Sequence, residues 1–221
     1  MSLDAPRPKP QAPGPGAGRA LGPAPPPRST HRSARYGDAM SNPAYSDGDP
    51  VTWEVGSPSL LALCTGNAAR SVMAGVMLLP GPYRVTTAGT HVVEGQPMSR
   101  RTRDALAAVG LSADGHRSHQ LTDLDIEQAD LVLAMAGEHV GFVRRRYPRA
   151  AARTATLKRL CRDLADGPAP LAGRLAVLDL ANVTIEPWED VDDPAGKEDD
   201  DYLACAKELQ VLCSELRARL A

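Results

Sequence analysis

Residues 60–73 read LLALCTGNAARSVM, and no other stretch limits the architecture of the chain so tightly. Four apolar residues, Leu60 to Leu63, lead into Cys64; a Gly66-Asn67 turn follows, and Arg70 and Ser71 open a segment that can be helical. The pattern predicts a buried strand, a tight loop and a helix start. Such a loop turns successive backbone N–H groups inward, and the helix dipole adds partial positive charge, so the peptide groups of Thr65, Gly66, Asn67, Ala68, Ala69 and Arg70 form a cradle for a tetrahedral oxyanion. The planar guanidinium of Arg70 can hold two oxygens of that anion at once. Cys64 stands at the base of the cradle, where the same field suits a thiolate nucleophile. Ser71 is placed to donate a hydrogen bond to the sulfur.

The Cys-to-Arg spacing alone carries little, because Cys213 and Arg219 repeat it. That second copy lies in a glycine-free helical run, where the backbone amides bond along the helix and cannot face a ligand. The combination of strand, Gly-Asn turn and helix start is what distinguishes the first copy.

These residues resemble the low-molecular-weight protein tyrosine phosphatases, whose loop reads C-x-G-N-x-C-R-S-P against CTGNAARSV here. The resemblance extends over residues 57–221 through TTAGTHVVEGQPMS, GHRSHQL, ADLVLAM and DVDDP. It implies an α/β fold with a parallel sheet of about four strands flanked by helices, and no metal or other cofactor. It also implies hydrolysis of a phosphoprotein monoester, phosphotyrosine foremost, through a cysteinyl-phosphate intermediate. Cys64, Arg70 and Asp193 are the implied catalytic residues, with Asn67, Ser71 and His116 supporting the loop. Asp193, directly before Pro194, maps to the family's general acid. A carboxylic acid on a mobile loop can protonate the leaving oxygen and then activate water, and the neighbouring carboxylates favour a retained proton. His116 matches a family histidine that hydrogen-bonds the loop asparagine; His31, His91 and His139 receive no chemistry.

Alanine stands at position 69 where the family has a second cysteine, and valine at 72 where it has proline. Without a cysteine at 69 the shielding disulfide cannot form there, so Cys64 is expected to overoxidise more readily than in typical members. Ala68 matches neither the bulky aliphatic of phosphotyrosine members nor the threonine of arginine-phosphate members, and Ala195 and Gly196 replace an aromatic after Asp-Pro. The pocket wall is therefore expected to be low. A protein arginine phosphatase of the same fold is an alternative. A thiol-linked arsenate reductase is another, but its cysteine relay fits poorly: Cys205 and Cys213 are about 12 Å apart along a helix, beyond the roughly 7 Å limit of a disulfide, and Cys161 reads as core. A phosphate-binding module without turnover is a third.

The rest of the chain suits one domain. Ten of the twenty prolines precede Tyr45, with scattered arginines and almost no aliphatic residues, so residues 1–54 cannot offset the cost of ordering a backbone and read as a disordered extension. It is either an adaptor-docking arm or an extension with no role, and residues 55–221 form the phosphatase domain. A net charge of −2 argues against a nucleic-acid partner, and the lack of a long apolar run against a membrane partner. Four cysteines in no evident framework suit the reducing cytoplasm. The phosphorylated protein substrate is the one partner the resemblance requires.

Downstream, the patterning predicts helices over 72–79, 99–109, 122–128 and 138–146, strands over 84–87 and 131–135, and a long amphipathic helix over 198–221. Residues 166–186, broken by Pro168, Pro170 and Gly173, read as an insertion in which 175–180 is a short strand or part of a lid.

Overall fold

The computed structural model describes residues 57–79 and 81–221; the proline-rich extension, His31 and Pro80 lie outside them. Four parallel strands make one sheet in the order β2-β1-β3-β4, with β1 at Ser59–Cys64, β2 at Arg84–Gly89, β3 at Leu131–Ala134 and β4 at Thr154–Thr156. Because β1 is flanked by β2 on one side and β3 on the other, the chain leaves it in both directions, and its carboxyl end opens a crevice between the crossovers. Cys64 is the last residue of that strand.

All six residues of β1 are buried, and their alternation serves two separate cores. Leu60, Ala62 and Cys64 face one core together with Val72, Met73, Val76 and Leu106, whereas Leu61 and Leu63 face the other with Ile126, Val132 and Val143. A strand covered on both sides reads as a continuous apolar run rather than an alternating one, which is the LLAL pattern in the sequence. Helix α1 (Arg70–Leu78) packs between β1 and the long C-terminal α7 (Asp199–Leu220). Truncating any of these fully buried leucines to alanine costs about 2–5 kcal/mol.

Local chemistry accounts for the other helices. In α2 (Arg100–Ala108) Ser99 caps the start by accepting from Thr102 N–H at 3.1 Å, and Gly110, at φ 77°, ends it. Thr122 and Asp125 form a capping box at α3 (Asp123–Gln128), as Glu198 and Asp201 do at α7. Helix α4 (Gly137–Arg146) turns Val140 and Val143 inward as its spacing predicts, and buries His139 as well. On α7 the inward face is built from Tyr202, Cys205, Ala206, Leu209, Cys213 and Leu216, while Leu203 and Leu212 are only partly covered.

Of the two expectations for residues 175–180, the strand is not formed. Helix α6 (Leu171–Ala176) ends within them and a turn follows, with Leu175 of the helix and Leu180 of the turn both in the main core. The fourth strand is the three-residue β4, followed at once by α5 (Leu157–Asp163). No described helix is long and apolar enough to cross a membrane.

Candidate active site

Helix α1 begins at Arg70 with Ala69 at its N-cap, and no side chain caps it. The orphan N–H groups of its first turn are therefore left for a ligand. The loop before it turns through Asn67, whose φ of 48° is left-handed; asparagine tolerates that region better than most residues. Gly66 takes no such angle, so the Gly-Asn pair works through its second member.

Asn67 is fully buried and bonded on every side. Its backbone N–H donates to Cys64 Sγ at 3.3 Å, and its Nδ2 donates to Ser71 Oγ at 3.0 Å. Ser71 Oγ lies 3.0 Å from Cys64 Sγ. With Asn67 donating to the serine oxygen, the serine hydroxyl hydrogen is free to point at sulfur, as expected from the sequence.

The support for Asn67 comes from residues 116–119. His116 Nε2 donates to the Asn67 carbonyl at 2.8 Å, Ser118 Oγ to the same carbonyl at 2.9 Å, and the His119 backbone N–H to Asn67 Oδ1 at 2.8 Å. His116 thus reaches the loop asparagine through its peptide oxygen. Burial, partly opposed by this bond, holds the His116 imidazole below its ordinary pKa and so neutral. Thr102 Oγ1 on α2 ties down the Ala68 carbonyl at 2.9 Å. Gly89, at the end of β2, lies directly beneath: a Cβ there would stand 2.5 Å from Thr65 O and 2.9 Å from Asn67 N.

Arg70 is 4% exposed, and its guanidinium spans both halves of the site. Nη1 donates to the Val191 carbonyl at 3.2 Å, while Nη2 pairs with the Asp193 carboxylate. Asp193, 44% exposed, also accepts from Ala195 N–H at 3.0 Å. Its nearest charged contact is therefore the phosphate-loop arginine and not the neighbouring carboxylates: Asp190 is turned away, accepting from Gly137 N–H at 2.7 Å. The acid loop is rooted further by Val191 N–H to Met135 O at 2.8 Å and by the buried Glu189, which pairs with Arg159.

On the opposite rim Thr65 Oγ1 donates to Glu138 Oε1 at 3.1 Å and lies 3.0 Å from His139 Nε2. Burial, reinforced by the charge of Arg70, pushes His139 down to about 4, so this ring is neutral beside the cradle. The sequence reading brought together Cys64, Asn67, Arg70, Ser71, His116 and Asp193, and the fold assembles all six. It did not find Gly89, Thr102, Ser118, His119 or His139. Ser118 and His119 lie inside the GHRSHQL segment, where their spacing from His116 was a usable signal; the contacts of Gly89 and Thr102 are visible only in three dimensions.

The other cysteines offer no partner chemistry. Cys161, Cys205 and Cys213 are free and buried, and burial pushes the thiols of Cys161 and Cys205 up to about 12 and raises Cys213 as well.

A strand-end thiol in an uncapped helix-start cradle, with an arginine above it and a carboxylic acid on a facing loop, defines a cysteine-dependent phosphatase site. The family profile described as low molecular weight phosphotyrosine protein phosphatase matches residues 59–172. Among known proteins the chain is 36% identical over 135 residues to a protein-arginine-phosphatase of Geobacillus stearothermophilus, covering 58% of this chain and 88% of that protein. It is 35% identical over 99 residues to a low molecular weight protein-tyrosine-phosphatase of Escherichia coli K12, covering 43% of this chain and 66% of that one. In structure it is similar to the arginine phosphatase of G. stearothermophilus, with a TM-score of 0.59 and 32% identity over 74% of this chain and 92% of that one. The chain belongs to the low molecular weight phosphotyrosine protein phosphatase family and is a hydrolase of that class.

Proposed function

We propose that the chain hydrolyses phosphorylated protein, phosphotyrosine foremost, with Cys64 as nucleophile, Arg70 and the amides of residues 65–70 as the anion cradle, and Asp193 as general acid and base. The observation that carries this reading is the continuous chain of contacts from Asn67 and Ser71 to Cys64 Sγ, with Arg70 joining that loop to Asp193. Cys64 sulfur attacks phosphorus and the phosphorus–oxygen bond to the substrate breaks, its oxygen taking the proton of Asp193. Water then attacks the phosphocysteine, Asp193 takes the water proton, and the sulfur–phosphorus bond breaks to release phosphate. Ser71 hydrogen-bonds the departing thiolate. Donors preset around an anion are worth about 3–4 kcal/mol each in such sites.

A protein arginine phosphatase is the second reading, favoured by the similarity to the Geobacillus enzyme so named. A redox relay is disfavoured by the burial of Cys161, Cys205 and Cys213. The test is hydrolysis of p-nitrophenyl phosphate, then of phosphotyrosyl and phosphoarginyl peptides, by the full chain and by Cys64→Ser and Asp193→Ala. Loss of turnover in the first variant and a large fall in kcat in the second support the mechanism. A faster reaction on the phosphoarginyl peptide selects the second reading, and no turnover by folded wild type refutes both.

A further inference from the structure

Histidine 119 stands out among residues that this mechanism leaves unused, because both of its ring nitrogens face carboxylates. Nδ1 lies 3.2 Å from Glu94 Oε1 and Nε2 lies 2.9 Å from Asp125 Oδ2. Each carboxylate is also held by a backbone N–H. Glu94 Oε2 accepts from Gln120 N–H at 2.6 Å, and Asp125 Oδ2 accepts from Thr122 N–H at 2.8 Å in the capping box of α3. A neutral imidazole has one hydrogen to donate and would turn a lone pair toward the second carboxylate; only the imidazolium satisfies both contacts. The charged groups facing the ring are Glu94, from the loop after β2, and Asp125, from α3.

The backbone of the same residue lies against the catalytic loop. His119 N–H donates to Asn67 Oδ1 at 2.8 Å, and its carbonyl accepts from Gly89 N–H at 2.9 Å. Asn67 in turn holds Ser71 and Cys64. From ring to sulfur the connection is a run of direct contacts, Glu94 and Asp125 to His119, His119 to Asn67, Asn67 to Ser71 and Cys64.

We infer that His119 is a positioning residue of the thiol site: its imidazolium, clipped between Glu94 and Asp125, holds the 116–119 segment against the phosphate loop so that Asn67 and Ser71 stay aligned on Cys64. The inference rests on the proposed function of that site. The two carboxylates outweigh the opposing effect of partial burial, so the imidazole pKa is raised above its ordinary 6.5. A raised value means that the clip is intact below pH 6.5 and is lost as pH rises through the folded-state pKa. The ring is 38% exposed, so solvent screens the coupling and the loss is graded.

The test combines an NMR titration of the His119 ring with the pH dependence of kcat/KM for p-nitrophenyl phosphate, in wild type, Glu94→Gln and His119→Gln. The expected wild-type profile loses roughly threefold to tenfold of kcat/KM, the scale of a sub-ångström misplacement, along an alkaline limb whose midpoint equals the His119 midpoint. Glu94→Gln removes one carboxylate and must move both midpoints to lower pH together. His119→Gln must lack that limb and sit at the wild-type alkaline level throughout. A limb that stays in place when Glu94→Gln shifts the His119 titration overturns the inference, as does a profile of His119→Gln that keeps the limb. The spectra also decide the matter without turnover, since the Asn67 side-chain amide must shift at the His119 midpoint, and an Asn67 signal indifferent to that titration refutes the coupling. Absence of turnover at every pH refutes the phosphatase reading alone.

Discussion

Replacing Glu189 with glutamine would remove one charge from the most enclosed ion pair among the described residues. The carboxylate is 1% exposed and accepts from Thr156 Oγ1 at 2.7 Å, Arg159 Nε at 2.8 Å and Glu186 N–H at 2.8 Å, besides Arg159 Nη2. Glutamine has the same shape, but its amide nitrogen must face one of these donors, and Arg159, with a side chain only 6% exposed, loses its main counter-charge. Breaking one partner of a buried pair costs about 3–5 kcal/mol. Asp163, 3.2 Å from Arg159 and 27% exposed, remains as a weaker partner and sets the expectation at the low end, about 3 kcal/mol. With a urea slope of about 1–3 kcal/mol per molar, the midpoint of unfolding should fall by roughly 1–3 M with the slope unchanged. Burial alone would raise the Glu189 pKa, yet the bonds from Arg159, Thr156 and Glu186 outweigh it and hold it below the ordinary 4.5. A lowered carboxylate pKa contributes stability that is full above 4.5 and fades as pH falls through the folded-state value. The gap between wild type and Glu189→Gln must therefore narrow in acid. A midpoint shift below about 0.3 M at neutral pH, under 1 kcal/mol by the same slope, would refute the reasoning.

Two further changes probe the loop itself. Gly89→Ala places a Cβ against Thr65 O and Asn67 N, both backbone atoms that cannot rotate aside, so kcat/KM should fall by roughly 10²-fold in protein that still folds; near-normal kinetics would show that the loop yields more easily than its contacts suggest. Because position 69 is alanine and the remaining cysteines are buried with raised thiol pKa values, peroxide should convert Cys64 to sulfinic acid with little reversible protection, read as incomplete recovery of activity in excess thiol and a two-oxygen mass increase on the Cys64 peptide. Full recovery would contradict it.

Much of this site is legible in the sequence for a physical reason: strand, loop and helix start are contiguous, so residues 60–71 carry their geometry in their own order. His116 and Asp193 were placed by resemblance to a family, not by spacing. What escaped the sequence is what depends on long-range approach. Thr154–Thr156 is a strand because it pairs with Val132, Leu133 and Ala134, and three residues are too few to show a period. Leu175 and Leu180 offered an apolar rhythm compatible with a strand, but Pro170 starts a helix there, and the core takes Leu175 from that helix and Leu180 from the turn after it. Arg159 and Glu189 are separated by thirty positions, and nothing local marks either as buried. The acidic run at 189–193 suggested carboxylates grouped around Asp193; the fold instead gives three of the four different partners, Arg159 for Glu189, the start of α4 for Asp190 and Arg70 for Asp193.

That last pairing has a consequence for turnover. The Asp193 carboxylate pairs with Arg70 Nη2, so a phosphate held by the same guanidinium nitrogen would compete with the acid. The exchange would free Asp193 for the role proposed above, proton transfer to the leaving oxygen. Arg70 Nη1 separately donates to the Val191 carbonyl, a contact with the acid loop that does not involve the Asp193 side chain. Asp193→Asn separates the two roles. An amide pairs weakly with the guanidinium, so inorganic phosphate should bind more tightly. The ion pair is part-exposed, worth about 0.5–1 kcal/mol after screening, which is roughly a twofold to fivefold drop in Ki. Turnover should move the opposite way, with kcat falling by about 10²–10⁴ for loss of an acid catalyst. Phosphate inhibition of p-nitrophenyl phosphate hydrolysis measures both. An unchanged or weaker phosphate Ki in Asp193→Asn would mean that Arg70 is free to receive the anion in solution and that the acid does not compete for it.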